Sequence, residues 1–287
     1  MSTLKVAALA MLAFAGNSIL CRIALKETGI DAASFTSIRL ASGAAVLWAI
    51  TLFLGRDRQG SGNWLSALAL FTYAAGFSFA YISLTTATGA LMLFGAVQVT
   101  MIGYGLWSGE RLQKQQLFGF ALAFGGLIGV LLPGLSAPPL VGLALMLIAG
   151  MAWGVYSIRG SIGGKGAGDA TRVTAGNFLR ASLLAALLSA LMFSDFKADS
   201  AGVGYAVASG AITSGLGYAV WYSVLPALKA SNAATVQLSV PVIAAVGGIA
   251  LLGESITLRF ALATLAILGG IALVILSKPH SLPRKNA

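Results

Sequence analysis

The chain has 287 residues, 58% hydrophobic and 9% charged, with a mean hydropathy of +0.90. That composition leaves too little polar surface for a water-soluble domain and places the chain among integral membrane proteins. The net charge of +10 does not point to nucleic acid, because no loop gathers basic and aromatic side chains together; it fits loops facing anionic lipid headgroups.

A membrane-crossing helix needs roughly 20 mostly apolar residues. Ten stretches of that kind, numbered here as spans 1 to 10, follow in order: 4–25, 32–54, 63–83, 86–109, 114–132, 138–158, 171–193, 200–223, 229–252 and 257–277. Span 1 also has the outline of a secretory signal, with Lys5, an apolar run and the small-x-small triplet Ala13-Phe14-Ala15. Its apolar run continues to Leu20, and a later span mirrors it, so we read it as an uncleaved signal-anchor. Lys and Arg are held on the cytoplasmic side of short loops. With both termini cytoplasmic, twelve basic residues fall on that side and four (Arg22, Lys26, Lys197 and Arg259) on the other, while Arg39 and Arg180 lie within spans. Cys21 is the only cysteine and His280, in the polar tail, the only histidine. Neither a disulfide nor an intramembrane histidine metal site is expected, and no cofactor.

A repeated phrase divides the chain. Gly109-Glu110 returns as Gly253-Glu254 and Gly125-Gly126 as Gly269-Gly270, both 144 residues later. Phe14-Ala15-Gly16-Asn17-Ser18 is mirrored by Trp153-Gly154-Val155-Tyr156-Ser157, and Arg39-Leu40-Ala41-Ser42 by Arg180-Ala181-Ser182. The expected organisation is a first five-helix repeat over 1–135 and a second over 136–287, the latter with a short cytoplasmic tail. Five is odd, so the two units enter the membrane from opposite sides. The fold class expected is therefore an all-α integral membrane protein of ten transmembrane helices in two inverted five-helix repeats.

These phrases, with Gly119 in the first half and Pro241 ahead of the second glutamate, resemble the drug/metabolite transporter superfamily, specifically its EamA-like ten-helix exporters. The resemblance covers essentially the whole chain. One departure is Val97, which stands where the 144-residue offset puts the partner of Pro241. The chain as a whole is also similar to the bacterial aromatic amino acid exporters of that superfamily. The resemblance implies export of small metabolites across a bacterial inner membrane, with amino acids bearing aromatic or apolar side chains the first expectation. Other metabolites or drugs are the alternative within the class; a channel or a membrane-embedded enzyme are alternatives outside it. An enzyme would need a nucleophile paired with a base or metal, which the spans do not supply.

Candidate substrate-binding residues follow from the cost of polar groups in a membrane. Arg39 and Arg180 are charged within spans; each could bind a carboxylate through its planar fork, or could snorkel or tie down helix-end carbonyls. Asn17, Tyr73, Phe77, Trp153, Tyr156, Asn177 and Tyr218 could line a cavity that stacks a flat side chain, or serve core packing. Gln98 and Gln237 are possible cavity amides, or interhelical hydrogen-bonding groups. Pro241 should kink span 9, and Gly247-Gly248 loosens the same region, making the three a candidate gate or a static bend. Glu110 and Glu254 stand at span ends, where capping or a loop arginine is the expected use. All eight acidic residues fall at span ends or in loops. With no carboxylate at mid-depth for a proton relay, movement of substrate down its own gradient is expected. Spans 5 and 10, apolar and glycine-rich, are expected at the periphery or at a homodimer contact.

Overall fold

The computed structural model describes residues 3–53, 60–109, 113–131, 138–163, 169–224, 236–237 and 239–276. Helices make up almost all of this: α1 (Thr3–Glu27), α2 (Ala32–Phe53), α3 (Trp64–Tyr81), α4 (Thr86–Trp107), α5 (Lys114–Leu131), α6 (Leu140–Gly163) and α7 (Ala170–Leu191). A short 3₁₀ turn (Phe193–Asp195) then leads to α8 (Ser200–Ala208), a π-helical segment (Ser209–Leu216) and α9 (Gly217–Val224), which form one rod with αR dihedrals at both junctions. α10 (Ser239–Leu252) and α11 (Leu258–Leu276) close the described chain. Among the described residues, seven stretches are long and apolar enough to cross a membrane: α1, α2, α3, α4, α6, α7 and the α8–π–α9 rod. Ser239–Leu252 and Leu258–Val274 are shorter apolar helices. The expected repeat boundary at 135/136 lies outside the described residues.

Local chemistry sets the helix ends. Asn63, Thr85, Asp169 and Asp199 cap α3, α4, α7 and α8, each accepting a hydrogen bond from a backbone N–H of the first turn. The repeated Gly-Glu phrase has a physical basis at the other end. Gly109 and Gly253 follow α4 and α10 with φ of +93° and +62°, a conformation that a side chain disfavours, so each glycine ends its helix. Gly253 N donates to Ile249 O at 3.2 Å and Glu254 N to Gly248 O at 3.2 Å, satisfying carbonyls of the last turn.

The helices pair as follows: α2 with α7, α5 with α11, α3 with α6, and α1 with the α8–π–α9 rod. In addition α4 lies on α6 and α10 on α1, while the π segment lies on α2 and α7 on α3. Exchanging the two halves of the chain maps this set of pairs onto itself. Glycines permit the closest approaches. A Cβ on Gly150 would stand 2.6 Å from Leu93 O, and one on Gly154 2.8 Å from Thr100 Cβ, so α6 presents a bare ridge to α4. Gly119, Gly126 and Gly270 do the same between α5 and α11, whereas Gly125, Gly129 and Gly269 face open space. Large apolar side chains such as Phe53, Leu187, Leu262 and Leu265 point outward, as a lipid-facing surface requires.

Candidate functional site

The middle of the bundle holds an aromatic cage. Tyr73 and Phe77, one turn apart on α3, have ring centroids 5.5 Å apart; Trp153 of α6 lies 4.9 Å from Tyr73 and 5.1 Å from Tyr218 of α9. Phe14 of α1 meets Tyr218 edge-on at 5.7 Å. Together with Asn17 and Ser18 of α1, Leu93 and Phe94 of α4, and Thr213 and Ser214 of the π segment, these side chains enclose a cavity of about 20 Å³. That volume holds about one water molecule. In this conformation the cage is shut on itself, and any larger ligand requires it to expand.

One polar chain runs along the cage. Asn17 Nδ2 donates to Tyr73 Oη at 3.3 Å, and Asn17 Oδ1 accepts from Ser209 Oγ at 2.7 Å and Thr213 Oγ1 at 3.3 Å. Arg39 Nη2 donates to the same Tyr73 oxygen at 3.0 Å, and its Nε to Ser214 Oγ at 3.4 Å. Arg39 is 2% exposed and sits behind the cage wall, its guanidinium carbon 5.2 Å from the Tyr73 ring centroid and 4.9 Å from that of Phe77. Such packing over ring faces stabilises a desolvated cation. The π segment makes the arrangement possible. It widens the helix locally and brings Ser209, Thr213 and Ser214 to bear on α1 and α2, and Gly210 lies directly on Ser42 and the Arg39 carbonyl of α2 with no room for a Cβ.

Two polar clusters close the bundle on either side of the cage. At the first, Arg22 of α1 donates from Nη1 to the Tyr81 and Ile82 carbonyls, at 2.7 and 3.0 Å, where α3 ends. Its Nε faces Glu254 Oε1 at 3.5 Å, a charge contact without hydrogen-bond geometry. The Glu254 carboxylate also accepts from Thr86 N at 2.9 and 2.8 Å and from Thr86 Oγ1 at 3.3 Å, so it caps α4 rather than the helix that follows it in sequence. A Cβ on Gly248 would collide with this carboxylate, which ties the bare position to the contact. Gly247 lies against Ile19 of α1. Pro241 is buried in the first turn of α10, at the edge of the described residues, so the expected kink in span 9 falls outside them.

The second cluster binds the N-terminus of α3. Asn177 Oδ1 accepts from Asn63 N at 2.9 Å, and Asn177 Nδ2 donates to Tyr156 Oη at 3.4 Å. Arg159 donates to Ser66 Oγ and Asn63 Oδ1, both at 3.1 Å. Arg180 donates from Nη1 to the Ser61 carbonyl and, at 3.0 Å, to Gly176 O, with its guanidinium 5.8 Å from the Trp64 ring. Gly62, at φ +70° against Asn177, gives the loop its path.

The sequence candidates therefore separate into groups. Asn17, Tyr73, Phe77, Trp153 and Tyr218 line one cavity, and Arg39 lies behind it. Tyr156, Asn177 and Arg180 belong to the second cluster. Gln98, buried on α4, and Gln237, half-buried, are not among the cavity's lining side chains. Sequence reasoning passed over Phe14, Ser18, Leu93, Phe94, Thr213 and Ser214 as lining residues, and over Arg22 and Arg159 as anchors. The signal for three hydroxyl residues was present: Ser209, Thr213 and Ser214 crowd into an otherwise apolar span.

The EamA-like transporter family profile matches residues 1–132 and again 140–276. The chain belongs to the EamA-like transporter family. It is 57% identical over 259 residues to an uncharacterized protein of Pseudomonas aeruginosa, covering 90% of this chain and 88% of that one. Over 162 residues it is 33% identical to an uncharacterized transporter of Archaeoglobus fulgidus, covering 54% of this chain and 55% of that one. A solved crystal structure of a protein superposes on 96% of this chain and 97% of its own with a TM-score of 0.66 at 20% identity, a likeness of fold. EamA-like proteins are transporters rather than enzymes, and this member is a multi-pass membrane protein with a double match to the family.

Proposed function

We propose that this EamA-like protein exports small metabolites, foremost amino acids with aromatic or apolar side chains, by alternating access between two inverted five-helix repeats. The observation that carries the reading is the aromatic and polar cage, a cavity at the meeting of both halves, closed by separate clusters at its two ends. The mutual mapping of helix pairs when the halves are exchanged supports the inverted arrangement. The aromatic faces suit a flat apolar side chain, and the polar chain through Asn17, Tyr73 and Arg39 suits the ligand's charged end.

In this account the chain lies in a bacterial inner membrane with both termini cytoplasmic, the Arg22–Glu254 cluster outside and the Arg159–Arg180 cluster inside. Ligand contact with α3, which reaches both clusters and the cage, biases which end releases. The Glu254 carboxylate is held at a helix end by Thr86 and Arg22, and no carboxylate is among the side chains lining the cage. Transport down the substrate's own gradient follows. A homodimer would use the outward face of α5 and α11, since their close-packed glycines meet within one chain.

Purified protein in proteoliposomes tests the reading. Labelled phenylalanine should exchange against unlabelled phenylalanine in a saturable manner, with flux persisting when the proton gradient is dissipated. Flux linear in concentration would favour a channel, and flux abolished without a proton gradient would overturn the coupling.

A further inference from the structure

Hydrogen counting in the cage assigns the ligand-contacting donor. Tyr73 Oη receives hydrogens from Arg39 Nη2 and from Asn17 Nδ2. A guanidinium can only donate, so the phenol's own hydrogen cannot return along the Arg39 contact, and it has the cavity face left to point into. Ser18 Oγ, also lining that cavity, is buried and makes no hydrogen bond of normal geometry. The Tyr81 hydroxyl on its other side gives its hydrogen to the Thr86 carbonyl at 3.3 Å. One hydroxyl donor, that of Tyr73, thus faces the cavity with its acceptor missing, since Ser18 has the Tyr81 oxygen beside it. Behind Tyr73, Arg39 carries a full positive charge, with Nη1 unpartnered and no ion pair to a carboxylate among the described residues. Its contacts are a phenol, a serine hydroxyl and two ring faces.

We propose that Tyr73, polarised by Arg39, donates its hydroxyl hydrogen to a carboxylate on the ligand, and that Arg39 acts through Tyr73 as a positioning residue without touching the ligand. The inference rests on the transporter reading and deepens it: the substrate class is organic carboxylates with an apolar or aromatic body. A guanidinium donating to the phenol oxygen withdraws electron density and makes the O–H a stronger donor, and in a low-dielectric cage such a chain of hydrogen bonds is mutually reinforcing. A ligand carboxylate supplies an acceptor oxygen for Tyr73 together with the counter-charge that Arg39 lacks, removing the cost of an unpaired buried cation. A neutral amide supplies an acceptor but no charge. An amine supplies neither.

The test is ligand binding to the purified full-length protein, using phenylalanine, phenylpyruvate, phenylalaninamide and phenethylamine as probes, for wild type, Tyr73→Phe, Arg39→Gln and the double variant. Wild type should prefer both carboxylates over the amide and the amine. Tyr73→Phe should weaken the carboxylates roughly 10- to 100-fold, the scale of one hydrogen bond to a charged group, and move the amide less than about threefold. Arg39→Gln should weaken carboxylates in both backgrounds, because the counter-charge is lost in each, but clearly less in the Tyr73→Phe background, the coupling expected when part of its effect passes through Tyr73. If Tyr73→Phe keeps the carboxylate-to-amide ratio, Tyr73 is not the donor and the inference fails. The same holds if Arg39→Gln abolishes carboxylate preference equally in both backgrounds, since Arg39 then meets the ligand itself. Tyr73→Phe is isosteric, so its carboxylate-to-amide ratio decides the question even where Arg39→Gln does not fold. Tight binding of the amine and none of the carboxylates by wild type would overturn the inference while leaving the transporter reading intact. Absence of saturable flux for any compound would remove that reading as well.

Discussion

Replacing Glu254 by Gln should open the bundle at the Arg22 end. The carboxylate holds groups from two other helices: Thr86 N at 2.8 and 2.9 Å and Thr86 Oγ1 at 3.3 Å from α4, and Arg22 at 3.5 Å from α1. Side-chain exposures of 11% for Arg22 and 7% for Glu254 leave little solvent to screen the pair. Glutamine keeps one acceptor for Thr86 but converts charge-assisted hydrogen bonds to neutral ones, a loss of about 1 kcal/mol. Removing the negative charge beside a buried arginine costs roughly another 1 kcal/mol, well below the roughly 3–5 kcal/mol of a fully orphaned ion because Arg22 retains the Tyr81 and Ile82 carbonyls. The sum, about 2 kcal/mol, corresponds to a roughly 30-fold shift toward the state open at that end. The assay is the labelling rate of a cysteine placed at cavity-lining Leu93, in a Cys21→Ala background, by a membrane-impermeant thiol reagent added outside intact cells. The rate should rise on the order of 30-fold. Adding Arg22→Met should cost less than the sum of the single changes, because no buried cation is then left without its partner. An unchanged rate in a variant that folds and reaches the membrane would refute the role of this contact as a closure.

Arg180→Gln should act in the opposite sense, lowering outside labelling of the same cysteine and raising it from inside by roughly tenfold, as two charge-assisted bonds to the Ser61 and Gly176 carbonyls are lost; inverted vesicles provide the comparison. Gly210→Ala should separate the π segment from α2 at Ser42 and the Arg39 carbonyl, costing on the order of 2 kcal/mol and a measurable fall in melting temperature, whereas Gly204→Ala, where a Cβ meets nothing within 4 Å, should be silent. A pH dependence is also expected at the loops joining α1 to α2 and α7 to α8. Burial pushes the Asp31 carboxyl up, but hydrogen bonds from the Lys197 and Ser34 N–H groups outweigh it and hold it below the usual range; the Gly29 and Gly202 N–H groups do the same for Asp199. A carboxyl depressed in the folded state stabilises it above the unfolded pKa and loses that contribution as pH falls through the folded one. Thermal stability should therefore decline on acidification below about pH 4, and the decline should be smaller in Asp31→Asn.

The sequence made the architecture legible because membrane burial is written in composition: long apolar runs, basic loops and a glycine phrase recurring at a fixed offset. The phrase proved to be a helix stop, Gly109 and Gly253 both taking the left-handed conformation that only glycine adopts freely. The cage was half legible. Aromatic and amide groups deep in spans identified Asn17, Tyr73, Phe77, Trp153 and Tyr218, since polar or amphipathic side chains at that depth need partners. What stayed hidden was long-range placement. Glu254 reads as an ordinary helix-end residue, yet its cap partner Thr86 lies 168 positions away. Arg39 and Arg180 occupy equivalent positions in the repeats, but one is sealed behind Tyr73 and Phe77 and the other binds loop and helix carbonyls. The π geometry of Ser209–Leu216, which aims the hydroxyls of Ser209, Thr213 and Ser214, leaves no trace in hydrophobic periodicity.

The most direct measurement of the central claim is counterflow in proteoliposomes holding only this protein: vesicles preloaded with unlabelled phenylalanine, diluted into labelled phenylalanine, with wild type and Trp153→Ala compared. Transient accumulation of label above equilibrium, saturable and strongly reduced in Trp153→Ala, is the expected result for an alternating-access carrier whose site is the aromatic cage. Label entry that never overshoots, rises linearly with concentration and ignores Trp153→Ala would contradict both the carrier mechanism and the site.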